Sequence, residues 1–136
     1  MKSLRVLERL AEQAVDRERQ ALLAIDGKIA EVEGQILALR QAIGREAAAR
    51  LDFMTSGATL SAYIEASTKR LEQLNGVLEQ LRDARQAQLE RVLAERIEQK
   101  RYERLAERRA SQAVLEAAAK DQKAIDELVT ISRRQD

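Results

Sequence analysis

No proline occurs anywhere in the 136 residues, and apolar side chains recur in alternating steps of three and four on both sides of a single interruption, "FMTSGATL" at 53–60. Before it, Ile25, Ile29, Val32, Ile36, Leu39 and Ile43 are separated by 4, 3, 4, 3 and 4, a heptad seam. After it, Leu60, Ile64, Ser67, Leu71, Leu74, Leu78 and Leu81 repeat the alternation with one serine as the polar member. Leu4, Leu7, Ala11, Ala14 and Ala21 carry a stripe one step out of phase with the first seam, and Arg85 and Gln88 disturb the second. Stutters are therefore expected in both helices.

Two seams joined by a short link holding glycine can fold back on each other. Gly57 suits the C′ position of the first helix, where positive φ brings no Cβ clash, and Thr59 or Ser61 can cap the second. The expected fold is all-α: two long helices in an antiparallel coiled-coil hairpin, the second longer than the first, in one domain over 1–136. The boundaries are helix 3–54, turn 55–59 and helix 60–133. Setting a positions against d positions opposes Phe53 to Ile64, Ile43 to Leu74, Leu39 to Leu78, Ile36 to Leu81 and Ile25 to Val92. The same register sets Val32 against Arg85 and Ile29 against Gln88, where the seam is weak. It also leaves the segment from about residue 117 onward without a partner in the chain.

Composition narrows the function. Charged residues make up 35% of the chain and only Phe53, Tyr63 and Tyr102 are aromatic, which suits long exposed helices better than one thick core. With neither histidine nor cysteine, the chain offers no imidazole base, thiolate or zinc-type site, and no glycine-rich turn follows a strand to cradle phosphate. No catalytic residue, metal or cofactor is expected. The longest apolar run, "ALLAI" at 21–25, is far short of the ~18 residues that read as a membrane span, and the start lacks the apolar region of a secretory signal. The expectation is a cytosolic protein with no direct membrane insertion.

Nucleic acid is a weak candidate partner, because the net charge is only +1 and the basic stretch "RIEQKRYERLAERR" is interleaved with Glu98, Glu103 and Glu107. Within that stretch Arg96, Lys100, Arg104 and Arg108 recur at spacing four. Like charges at that spacing repel slightly, so the helix gains nothing intrinsic from the row. It is either a solvated face balanced by nearby glutamates or a surface for an acidic protein. Beyond it, Leu115, Ala118, Ile125, Leu128 and Ile131 form a stripe that docks onto a partner, pairs in a homodimer, or frays. Gly27, Gly34, Gly44 and Gly76 fall at outward positions, where they are neutral, confer flexibility, or admit close approach.

The strings "LERLAEQAVDRERQAL", "SGATLSAYIE", "EQKRYERLAERR" and "QKAIDELVTISRR" resemble the flagellar FliJ family over nearly the whole chain. Lys100, Leu105, Glu107, Arg108, Arg109, Asp126, Glu127 and Leu128 fall at positions that recur in that family. The resemblance implies an antiparallel two-helix coiled coil similar to the central stalk of rotary ATP synthases, acting in flagellar type III export and flagellum biogenesis. The implied partners are the hexameric export ATPase, the export gate membrane protein and export chaperones. The implied location is the cytoplasmic face of the inner membrane at the flagellar base. Candidate partner-binding residues are then Arg96, Lys100, Arg104, Arg108, Arg109, Leu115, Ile125, Asp126, Glu127, Leu128 and Ile131. The alternative is a general coiled-coil adaptor or a stalk protein of a virulence-type secretion system.

Overall fold

The computed structural model describes residues 3–52 and 57–135. Ser3 begins the first helix: its Oγ accepts the N–H of Val6 at 3.3 Å and its carbonyl accepts the N–H of Leu7 at 3.2 Å, which satisfies donors that a helix start leaves open. Helix α1 then runs Leu4–Asp52 (49 residues) and helix α2 Gly57–Gln135 (79 residues). In the last turns stand Arg50 in α1 and Arg133 and Arg134 in α2, cations where the helix dipole favours them. Arg50 also donates from Nε to Glu46 at 2.7 Å.

Three contacts fix the direction of packing. Glu18, Asp26 and Glu33 of α1 meet Gln88, Arg85 and Arg82 of α2, respectively. Numbers rise along one helix as they fall along the other, so the helices are antiparallel, as the two seams predict, and the second is the longer.

Residues 16–94 form one compact unit. Its core is the buried trio Ile36, Leu74 and Leu78, with Ile29, Val32, Leu39 and Leu71 packed against it. The stripe continues through half-buried Leu81 and Arg85 to buried Gln88 and Val92. Arg85 and Gln88 thus lie in the seam and are answered there. The Arg85 guanidinium donates to Asp26 at 2.6 Å, and the Gln88 amide donates to the Glu18 carbonyl at 3.0 Å and to its carboxylate. Among the described residues no buried side-chain polar atom lacks a partner.

Residues 1–15 and 95–136 form a second unit. Ala11 and Val15 are its buried residues, flanked by half-buried Leu4, Leu7 and Ala14 on α1 and by Gln99, Tyr102 and Ala106 on α2. From Glu107 to Gln135 every residue of α2 is exposed.

Several expectations change in detail. Gly57 is the first residue of α2 rather than a C′ residue of α1, and its φ is not in the left-handed region. Thr59 and Ser61 lie inside the helix, so neither caps it. The junction of the helices and the pairing of Phe53 with Ile64 fall at residues outside those described. Tyr63, half-buried, takes the inward place expected of Ile64, which is exposed, and Leu22 takes that of Ala21. The register shifts too. Ile36 packs with Leu74 and Leu78 rather than with Leu81, Arg85 engages Asp26 rather than the level of Val32, and Gln88 reaches Glu18, about three turns before Ile29. Each of these α2 residues stands opposite an earlier residue of α1 than a strict heptad count gives, and the polar pairs Arg85–Asp26 and Gln88–Glu18 hold it there. The glycines Gly27, Gly34, Gly44 and Gly76 do face outward, with open space where a Cβ would stand.

Candidate partner-binding surface

The inward residues of α2 in the 95–136 unit recur at heptad steps through Gln99, Tyr102 and Ala106. The residues between them must face solvent, and this is where the cations sit. Arg96, Lys100, Arg104, Arg108 and Arg109 are all exposed. From Arg96 to Arg108 the row rises about 18 Å, and because four residues overshoot a 3.6-residue turn, it winds slowly round the helix.

Of the glutamates expected to balance this row, Glu98 pairs instead with Arg101, outside the row, at 3.0 Å. Arg96, Lys100, Arg104 and Arg108 have no ion pair among the described residues. None of the four spaced cations is balanced by a glutamate among the described residues, and all four remain open to a partner.

Sequence reasoning missed the apolar half of this surface. Ile97, exposed at 61%, and Leu105, at 38%, lie among the cations, and together with Lys100, Arg101, Arg104 and Arg108 they line one shallow groove. A second depression continues it along Arg104, Glu107, Arg108, Ser111, Gln112 and Leu115. The available signal was a pair of isoleucine and leucine residues off the heptad seam, eight positions apart and flanked by arginine.

Farther on, Leu115 (70%), Ile125 (52%), Leu128 (66%) and Ile131 (52%) are all uncovered, and so is Ala118. Val114 and Val129 widen this apolar set beyond the expected stripe. Asp126 is tied into its own helix: its carboxylate accepts the Gln122 amide at 3.1 Å, and its carbonyl accepts the Thr130 hydroxyl at 2.9 Å. Glu127 is exposed, and with Lys123, Asp126, Thr130, Ile131 and Arg134 it borders a further shallow depression. The candidate residues are thus two stretches of one helix, a cationic groove and then an apolar run. No helix among the described residues is long and apolar enough to cross a membrane.

The family model described as Flagellar FliJ protein matches residues 1–135. No curated protein and no solved structure matches the chain.

Proposed function

This chain belongs to the flagellar FliJ family, a component of the flagellar protein export apparatus, and we propose that within that apparatus it serves as a stalk whose α2 end binds the export ATPase ring. One observation carries the reading: every residue from Glu107 to Gln135 is exposed while the stretch carries Leu115, Ile125, Leu128 and Ile131. An exposed helix of about 43 Å with uncovered apolar side chains along about 24 Å of it is incomplete alone, and a ring can cover several of its faces at once. The cation row before it meets acidic loops without demanding one fixed salt bridge, which suits a shaft inside a six-fold ring. Charge then speeds association and makes it salt-sensitive, while apolar contact governs dissociation. The export gate membrane protein and export chaperones are the further partners of this reading, which places the protein peripherally at the cytoplasmic face of the inner membrane.

The test uses two variants, a chain ending after Ser111 and one with Arg96, Lys100, Arg104 and Arg108 changed to glutamate. Binding to the purified ATPase, stimulation of its ATP hydrolysis and cell motility are then measured. The truncated chain should lose binding, and the charge-reversed chain should associate more slowly. If both bind and stimulate like the intact protein, the stalk reading fails and a coiled-coil adaptor takes its place.

A further inference from the structure

We propose that the groove of Ile97, Lys100, Arg101, Arg104, Leu105 and Arg108 is a docking site for an acidic amphipathic helix of a partner protein. It rests on the reading that the exposed end of α2 is a docking element, and it adds the chemistry and conformation of what docks. Lys100, Arg104 and Arg108 are exposed and have no ion pair among the described residues, whereas Arg101 is held by Glu98. The hairpin seam here uses Gln99, Tyr102 and Ala106. The groove is therefore on a different face and can be filled without opening the hairpin.

Spacing argues for a helix as the occupant. The three free cations recur every four residues, about 6 Å apart along the axis, and a second helix with carboxylates every fourth residue presents charge at that same interval. Such rows are the ridges by which helices pack into one another's grooves. Ile97 and Leu105, eight residues apart and each one position after a cation of the row, supply apolar contact along one side of it, so charge draws the partner in and apolar burial slows release. An anionic lipid surface fits less well. An in-plane membrane helix buries a continuous apolar face with its cations at the border, and here Arg101 stands between Ile97 and Leu105 and breaks the apolar face. Nucleic acid fits less well too, because no aromatic side chain lies in the groove for bases to stack on.

The probe is a synthetic helix-forming peptide of glutamate, alanine and leucine with glutamate at every fourth position, titrated into the full chain by fluorescence anisotropy. A scrambled peptide of identical composition, phosphatidylglycerol-containing vesicles and a single-stranded oligonucleotide are titrated alongside it. The patterned peptide should bind about tenfold more tightly than the scrambled one. Binding should vanish in the Lys100→Glu, Arg104→Glu, Arg108→Glu triple variant and fall steeply in the corresponding triple glutamine variant. Ile97→Ser with Leu105→Ser should weaken binding while leaving its salt dependence unchanged. All five side chains are exposed, so unchanged circular dichroism verifies the fold of each variant. Equal binding of the scrambled peptide, or tighter binding of vesicles or oligonucleotide through the same cations, overturns the proposal. A chain that binds the peptide but not the ATPase leaves the docking site standing and removes the stalk reading; the reverse result removes the docking site alone.

Discussion

Replacing Arg85 and Gln88 together by leucine should raise the melting temperature. Gln88 is 7% exposed, and its amide is shared between the carbonyl and the carboxylate of Glu18. Hydrogen bonds to charged groups contribute about 1.5–3 kcal/mol each; Glu18 is only half-buried, so water partly replaces the lost partner and the loss lies near the lower figure. The Arg85–Asp26 pair is short, but its side chains are 42% and 40% exposed, so solvent screening holds its contribution to about 1 kcal/mol or less. Against these losses, a buried leucine at 88 gains about 1.5–3 kcal/mol, and a half-buried one at 85 about half as much. The balance is a net gain of roughly 1–2 kcal/mol, in line with the effect of exchanging buried polar pairs for packed apolar ones. For a chain of this size that corresponds to about 3–10 °C. Thermal unfolding followed by far-ultraviolet circular dichroism reads it directly. A melting temperature that stays the same or falls would place the two residues outside the seam and refute the register. Gln88→Ala alone should be destabilising, since it deletes the hydrogen bonds and fills little of the space.

Gly34→Ala and Gly76→Ala should each stabilise the helices by up to ~1 kcal/mol, because both glycines are mid-helix and a Cβ meets nothing within 4 Å; denaturant titration checks this, and a loss of stability would mean that their outward placement is wrong. Cysteines at Ile36 and Leu78, which share one core cluster, should crosslink within a single chain under mild oxidation. Dimers in place of that product would end the antiparallel hairpin.

The hairpin was legible because its signal is redundant. Ile29, Val32, Ile36 and Leu39 on one side and Leu71, Leu74 and Leu78 on the other announce a seam through many residues at once, and no proline contradicts them. Register was not legible to the same degree. Sliding one helix along the other exchanges one apolar layer for another of similar area, so apolar spacing barely discriminates among alternatives. What decides is polar matching. Gln88 finds Glu18 and Arg85 finds Asp26, and single residues of this kind are hard to weigh before the position of the turn is known. The exchange of Ile64 for Tyr63 has the same origin, since inward steps of four and four from Tyr63 through Ser67 to Leu71 are a stutter that a strict heptad count passes over.

On the candidate surface, the cation row and the apolar tail could be read from spacing alone, because charge and hydrophobicity are properties of the residues themselves. Which cations stay unpaired could not. Glu98, Glu103 and Glu107 are all within helical reach of the row, yet none pairs with it, and Glu98 is held by Arg101 instead. Ile97 and Leu105 were missed because an apolar residue off the seam is ordinary on any helix, and only their position in one groove with Lys100, Arg104 and Arg108 gives them significance.

Amide hydrogen exchange on the full chain, with and without the purified export ATPase, is the most direct test of the stalk reading. Alone, the 107–135 stretch should exchange fastest within α2, since no tertiary packing covers it, while the amides around Leu74 and Leu78 exchange slowest. With the ATPase, new protection should appear over 107–135 and extend into 96–108, leaving the rates around Leu74 and Leu78 unchanged. Protection that appears only toward the turn, or none over 107–135 under conditions where the two proteins co-purify, would contradict the account.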